Sequence, residues 1–285
     1  MANKFDRNYI LSVQTNTGKT LTVKRPFTVE FEIHRNSFSS ANVASFRIYN
    51  LSEDNRSQIR KDPMDSDDLR NMSFTAGYGD NLSLGFAGNI SQAWSVREGN
   101  NIVTQIESFD GGFAYTNAIT DNAFPAGTPQ TAVIDSLVAS LPGVTKGSIG
   151  NYPGSLSKGN AYSGNTTAIL TEITGGGFFI DNGKAHCLGD NECVTSEVTL
   201  IDAASGLLGT PLLEQQRVLF DVLFEPRLVI GQQLQLKSLT APNFNGFYKL
   251  TGLKHRGTIS DAICGDAITS VELISGHNLQ TVPNG

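Results

Sequence analysis

The chain has 285 residues, of which 29 are glycine and 17% are charged, a composition typical of turn-rich β structure rather than of a helical bundle. Lys plus Arg total 21 against 27 for Asp plus Glu, so the net charge is −6. This charge argues against tight binding to duplex DNA, because basic side chains supply most of the affinity for phosphates. The sequence contains no apolar run of about eighteen residues and no secretory signal pattern, so it predicts neither a membrane span nor a signal peptide.

The first 36 residues predict strands. Residues 9–13 and 21–23 are largely apolar and flank the polar turn TNTGK, which is typical of a hairpin. Gly18-Lys19-Thr20 imitates the end of a phosphate-binding loop, but Val13 occupies the position of that motif's first glycine and no helix is predicted to follow. We therefore expect a turn with a solvated lysine here.

The next segment predicts a strand with one buried face, followed by a short helix. The apolar residues Phe27, Val29, Phe31 and Ile33 alternate with Thr28, Glu30 and Glu32. This alternation places Glu30 and Glu32 toward water or a partner. Ser52 is a suitable N-cap for the helix, which we expect to end near Lys61, before Pro63.

An acidic loop follows this helix. Its carboxylates are Asp62, Asp65, Asp67 and Asp68. They resemble calcium ligands in number, but the loop lacks the central glycine and the distal glutamate of a hand-type calcium loop. We interpret it as a solvated acidic loop.

The middle of the chain predicts a small α/β insert. A helix is expected from Thr128-Pro129 to Leu141, an irregular loop over 143–164 and a second helix over 165–174. Residues 178–188 then predict a tight hairpin with an Asn182-Gly183 turn. From about Cys193 the pattern returns to strands.

No candidate catalytic, cofactor or metal site emerges. The three cysteines, Cys187, Cys193 and Cys264, are an odd number, which argues against a disulfide framework. Pairing of Cys187 with Cys193 stays open, although free thiols are favoured. His186 with these two cysteines lacks a fourth metal ligand. The other histidines, His34, His255 and His277, have no partner at metal-binding spacing. There is no serine-hydrolase elbow and no distinguishable carboxylate pair.

One strand pattern occurs twice. Residues 103–111 read VTQIESFDG and residues 268–276 read ITSVELISG, with threonine, glutamate and glycine identical in both, as in Glu107 and Glu272. Gly88 precedes Glu107 by a spacing similar to that of Gly252 before Glu272. We therefore predict two related β-domains, 1–112 and 194–285, that superpose with Gly88 close to Gly252, separated by the α/β insert 113–193. The fold class is mainly β (α+β).

Two stretches carry a family resemblance. FTVEFEIHRNSFSSANVASFRIYNLSEDNRSQIRKD with MSFTAGYGDNLSLGFAGNI resembles the first tube-like domain of baseplate hub proteins from contractile-tailed phages. SGLLGTPLLEQQRVLFDVLFEPRLVIGQQLQLKS with NGFYKLTGLKHRG resembles their second tube-like domain. Together with the insert, the resemblance covers nearly the whole chain.

The resemblance implies a structural role and no catalytic activity. Hubs of that family are trimers in which two tail-tube-like β-barrel or sandwich domains per chain form a pseudo-sixfold ring. The expected partners are the tail tube protein, the central spike protein and other baseplate proteins, with DNA passing through the lumen without specific binding and without membrane insertion. The expected location is the virion tail baseplate, assembled in the host cytoplasm.

The alternative class is a carbohydrate-binding β-sandwich or a β-rich hydrolase. The β content and polar loops fit a lectin, but Trp94 is the only tryptophan available for stacking on a sugar. A monomer that binds glycans would favour this alternative, and a ring-forming oligomer would favour the hub.

Overall fold

The computed structural model describes residues 4, 6–38, 40–65, 68–195, 197–263, 265–276 and 279–282. The elements before residue 118 are β1 Arg7–Gln14, β2 Thr20–Lys24, β3 Val29–Asn36, β4 Asn42–Tyr49, α1 Glu53–Ile59, β5 Asn71–Tyr78, β6 Asn81–Glu98, β7 Asn101–Asp110 and α2 Gly112–Asn117. The middle elements are β8 Ile119–Phe124, α3 Gln130–Ala139, β9 Thr145–Ile149, β10 Asn160–Asn165, α4 Thr166–Ile173, β11 Phe178–Asp181, β12 Lys184–Cys187 and β13 Glu192–Cys193. The last elements are β14 Thr199–Ile201, β15 Leu207–Glu214, β16 Arg217–Leu223, β17 Gln233–Leu236, a 3-10 turn Pro242–Phe244, β18 Gly246–Ile259, β19 Ala267–Ser275 and β20 Gln280–Thr281.

The mainly β class is confirmed, with 52% of the described residues in strands and 13% in helices. One 13-stranded sheet runs in the order β15-β16-β19-β18-β3-β4-β7-β6-β5-β1-β2, with β17 and β14 attached beside β18. Its two halves join where β18 pairs antiparallel with β3. Strands from both ends of the chain therefore share one hydrogen-bonded sheet. No helix in the described residues combines the length and apolar character needed to cross a membrane.

The first half of this sheet curls around its own core. β3 and β5 are four strands apart in the sheet order, which is about 19 Å if the sheet were flat. Nevertheless the rings of Phe31 on β3 and Phe74 on β5 have centroids 5.0 Å apart, and Phe46 on β4 lies 5.1 Å from Phe74. The sheet must therefore bend until its inner face closes on these rings.

The repeated strand pattern occupies equivalent places in two hairpins. β7 pairs with β6 and β4, and β19 pairs with β18 and β16. Each hairpin has an irregularity at the residue before the one opposite the shared glutamate, at Ser91 in β6 and at Thr251 in β18. The Ser91 hydroxyl donates to the Glu107 carbonyl at 3.0 Å, and the Thr251 hydroxyl to the Glu272 carbonyl at 3.3 Å. Glu107 and Glu272 thus have matching registers.

The predicted match of Gly88 with Gly252 is wrong. Gly252 lies opposite Glu272, whereas the residue opposite Glu107 is Gln92. Both glycines stand where a Cβ would be crowded, but by different neighbours. A Cβ on Gly88 would lie 2.7 Å from the Phe109 carbonyl oxygen, and one on Gly252 would lie 3.2 Å from the Glu272 side chain. The glycines are alike in sequence but not in place.

The predicted helices are confirmed, and part of a predicted loop is not. The Ser52 hydroxyl accepts from the Asn55 amide at the start of α1. Pro129 stands at the N-cap position of α3 without a side-chain hydrogen bond, and the Asn165 side chain caps α4 by accepting from the Ala168 amide. The segment 143–164 contains β9 and most of β10, because β9 gains a parallel partner in β12 and β10 an antiparallel partner in β8. Long-range pairing outweighs the Gly- and Ser-rich composition of this segment.

Three buried clusters form the core. The first holds residues from before position 107 together with Phe224, Ile259 and Ala267. The second holds residues from 194 onward together with Phe179 and Leu188, and the third lies within 114–187. The division into 1–112, 113–193 and 194–285 stays a prediction, and five side chains of these buried clusters cross it.

Candidate functional site

The outer face of the large sheet carries paired charges. Along β3 the inward side chains are buried, and Glu30, Glu32 and His34 lie on the opposite face. Glu30 forms an ion pair with Arg47 at 3.0 Å, and Glu32 forms one with Lys254 at 2.8 Å. The second of these ion pairs crosses the junction between β3 and β18, so the outer face is continuous across the two halves of the sheet.

The same face continues to both sides of this junction. Arg47 also binds Glu98 at 2.8 Å on β6, and Arg217 binds Glu272 at 3.0 Å. Hydrogen bonds from His34, and then from Lys254, lower the pKa of Glu32. Three cations of the face, Arg47, Arg217 and Lys254, therefore have carboxylate partners. Because they are already paired, we expect them to bind nucleic-acid phosphates only weakly.

A buried arginine lies beneath the junction. Arg35, at the end of β3, is only 2% exposed. Its guanidinium binds both carboxylate oxygens of Asp181, with Nε 2.8 Å from Oδ1. Its Nη1 donates to the carbonyls of Gly85 at 3.2 Å and Leu228 at 3.3 Å. One side chain thus links β3, β6, β11 and the segment after β16.

The turn of the β11-β12 hairpin docks against the end of β7. The Asp110 carboxylate accepts from the backbone amides of Asn182 and Gly183, the latter at 2.8 Å. The Asn182 side chain accepts from the Ala87 amide at 2.9 Å, and Asn42 donates to the Ile180 carbonyl at 2.9 Å. This buried polar network holds the insert on the first half of the sheet.

Asp110 makes the fit of this turn dependent on pH. Burial, and then the nearby Asp181 carboxylate, raise the pKa of Asp110 to about 7. The folded chain therefore holds this proton more tightly than the unfolded chain does, so the contribution of Asp110 to stability is present at pH 4 and is lost as the pH rises through 7. The wild type should lose unfolding free energy between pH 5 and pH 8 as Asp110 ionises, whereas Asp110→Asn has no such group to ionise. Over this range the difference in unfolding free energy should therefore shift by roughly 2 kcal/mol in favour of the variant. Urea titrations at both pH values measure this difference.

Ser108→Ala is the matched control. Ser108 is equally buried on the same strand and donates to the Asn89 carbonyl at 2.8 Å, but it does not titrate. Its difference from the wild type should stay the same at both pH values. If the difference in unfolding free energy between Asp110→Asn and the wild type were the same at both pH values, it would contradict the raised pKa of Asp110.

The cysteines and His186 do not form a shared site. Cys187 and Cys193 are both buried and free, so they do not pair, and Cys264 lies outside the described residues. Burial raises the pKa of Cys187 to about 12 and lowers that of His186 to about 4. The His186 ring stacks on Phe179 at 5.1 Å, and its Nδ1 accepts from the Ser148 amide. Within the described ranges, no three His, Cys, Asp or Glu side chains are grouped so as to hold a metal ion.

The other histidines have separate structural positions. His34 is half-buried and contacts Glu32 at 2.8 Å. His255 is fully buried, bonds Thr269 at 2.8 Å, and has its pKa lowered to about 3 by burial and then by Arg35. His277 lies outside the described residues.

The remaining sequence candidates are structural. Gly18 has φ +77 in the β1-β2 turn, and Thr20 begins a strand rather than a helix, so the phosphate-loop imitation is a hairpin turn. In the acidic loop Asp68 pairs with Arg70 at 2.7 Å and Asp62 caps the Met64 amide, while Asp67 lies outside the described residues. Trp94 is half-buried on β6.

The sequence interpretation missed Arg35. The signal was present, because Arg35 continues the odd-numbered inward series of Val29, Phe31 and Ile33. An arginine at an inward position implies a buried carboxylate partner. Nothing in the sequence identified that partner as Asp181, which is 146 residues away.

Solved structures share the fold at low sequence identity. A 43 kDa tail protein of prophage MuSo2 from Shewanella oneidensis has a TM-score of 0.61 at 8% identity, covering 96% of this chain and 98% of its own. A tail protein from Neisseria meningitidis has a TM-score of 0.61 at 11% identity, with coverage of 95% and 98%. An E. coli type VI secretion component, described as similar to phage T4 tail proteins gp27 and gp5, has a TM-score of 0.59 at 7% identity, covering 90% and 76%.

Sequence comparison gives the family. No curated protein sequence matches the chain significantly. The family model described as baseplate hub gp41 matches residues 10–260, which is most of the chain. The expected hub resemblance is therefore confirmed, and the chain belongs to the baseplate hub gp41 family of phage tail structural proteins.

Proposed function

We propose that this baseplate hub protein forms a homotrimeric ring in which each chain contributes two tube-like units. The observation that carries the proposal is the matching register of the β6-β7 and β18-β19 hairpins. Two similar units per chain allow a threefold assembly to present six similar positions. Such a ring would join a sixfold tail tube on one side to a threefold spike on the other.

The ring would also form part of the DNA conduit in the virion baseplate. The outer face of the large sheet, where cations are paired with carboxylates, supports this role. In a channel lined by this face, DNA would be held less tightly than in a channel lined by unpaired cations. We further propose that other baseplate proteins bind the outside of the ring, that assembly takes place in the host cytoplasm and that the chain has no catalytic activity of its own.

Light scattering on the purified full-length chain tests the ring. We expect a particle with three times the mass of one chain, and images of it should show a central opening. A monomer at all concentrations, or a compact trimer without an axial channel, would contradict the proposal. An inner wall lined mainly by Lys and Arg would contradict the conduit role.

A further inference from the structure

The chain contains its own example of how two tube-like units join. β18 pairs with β17 through residues 246–249 and then, on the same side, with β3 through residues 252–259. In that junction Lys254 lies opposite His34, His255 opposite Ile33, and Arg256 opposite Glu32. The second unit therefore pairs the far half of its long strand β18 with β3 of the first unit.

The equivalent half of β6 has an open edge. β6 pairs with β5 through residues 81–89, as β18 does with β17, and with β7 on its other side. Beyond this point Lys61 bridges Ala93. Within the described part of the chain, no strand pairs with the outer edge of residues 94–97.

β15 is the equivalent of β3. β3 pairs with β4 so that Ile33 lies opposite Ala44, and β15 pairs with β16 so that Leu213 lies opposite Val218. Ala44 and Val218 are themselves equivalent, because they lie opposite Ser108 in β7 and Leu273 in β19, the residues after the shared glutamates. β15 is also the terminal strand of the large sheet, so its outer edge is open.

We propose that residues 94–97 of one chain pair antiparallel with residues 211–214 of the next chain, in the register of the internal junction. Transferring that register places Trp94 opposite Glu214, Ser95 opposite Leu213, Val96 opposite Leu212, and Arg97 opposite Pro211. This inference rests on the proposed ring and specifies the contact that closes it.

The side chains at these positions suit a contact between chains. Leu212 and Leu213 are 65% and 62% exposed in the single chain. Where the internal junction has the ion pair Lys254–Glu32, the equivalent residues are Trp94 and Leu212. Where it sets Arg256 opposite Glu32, the equivalents are Val96 and Leu212. Apolar pairs replace charged ones, and covering exposed leucines is favourable.

The ends of the proposed contact are also defined. Lys61 already occupies the edge at Ala93, and Pro211 has no amide hydrogen to extend the ladder at the other end. A groove of about 540 Å³ lies between α1 and the open edge of β6, lined by Arg56, Arg60 and Arg97 among others. The three arginines outnumber Glu53, the one carboxylate that also lines the groove, and so complement Glu214, which the transferred register brings opposite Trp94.

Disulfide cross-linking tests the register. By alternation from Ala93, Val96 and Leu212 form a non-hydrogen-bonded pair, whose Cα atoms lie about 4.5 Å apart, within disulfide reach. The full-length double variant Val96→Cys/Leu212→Cys should form a covalent closed trimer on mild oxidation, visible on non-reducing gels. A mixture of the two single variants should yield covalent dimers and nothing larger.

The matched control moves one cysteine by one residue. Leu213 is as exposed as Leu212, but its side chain lies on the other face of the strand, so Val96→Cys/Leu213→Cys should cross-link at least tenfold less. If light scattering shows a trimer and the first pair fails to cross-link, or both pairs cross-link equally, this register is wrong and the ring still stands. If no trimer forms, the ring proposal fails and this inference fails with it.

Discussion

Replacing Arg35 with methionine is expected to lower the free energy of unfolding by about 3–5 kcal/mol. The substitution keeps most of the side-chain length but removes the cation that binds Asp181 and lies close to Asp110. Two buried carboxylates would then lose their neighbouring cation and keep only neutral hydrogen-bond donors, and the carbonyls of Gly85 and Leu228 would lose a donor. Urea denaturation followed by circular dichroism measures the loss.

Arg47→Met is the matched control. Arg47 lies on the neighbouring strand and pairs with Glu30 and Glu98, but its side chain is 33% exposed. Exposed ion pairs contribute about 1 kcal/mol or less, so this variant should remain close to wild type. The double variant Arg35→Met/Asp181→Leu should recover part of the loss, because it removes both charges. Equal losses for Arg35→Met and Arg47→Met would contradict a special role for the buried pair.

Phe224→Ala is expected to cost about 3–5 kcal/mol, as removal of a buried phenylalanine commonly does. Phe224 follows β16 in the last segment, yet its ring lies 5.2 Å from Phe31 in the core of the first segment. The Tyr78 hydroxyl also donates to the Phe224 carbonyl at 2.8 Å. We therefore expect Phe224→Ala to destabilise both halves of the large sheet.

Trp94 provides the measurement. It is the only tryptophan and lies on β6, so its fluorescence reports unfolding of the first segment. We expect Phe224→Ala to lower the denaturation midpoint seen by Trp94. Phe247→Ala should barely change it, since Phe247 is 41% exposed. If the Trp94 transition did not move with Phe224→Ala, the two segments would be energetically independent.

The sequence predicted local features well. The strand with Val29, Phe31 and Ile33 inward, the helix capped by Ser52 and the Asn182-Gly183 hairpin all depend on residues close in sequence. The repeated strand was also recognisable, because its threonine, glutamate and glycine and the buried apolar position Ile106/Val271 keep the same spacing in both copies.

The unpredicted features depend on register and on distant partners. Two residues connect β6 to β7 and seven connect β18 to β19, so the residue opposite the shared glutamate lies 15 positions before it in one hairpin and 20 in the other, and similar spacing in sequence assigned Gly88 to the wrong position. The pairing of β18 with β3 joins residues more than two hundred positions apart. The Arg35–Asp181 pair has the same cause. Its burial is visible in the alternation of β3, but its partner is not.

The pairing of β3 with β18 also has a consequence for synthesis. β3 is complete once residue 36 has been made, but its outer edge is covered only after residues 252–259 have been added. At translation rates of 5–20 residues per second, that edge stays open for roughly 10–45 s on every nascent chain. An eight-residue strand with an apolar face is a template for unwanted pairing during that interval. Crowded polysomes, rather than the finished particle, are therefore where this chain is most exposed to aggregation.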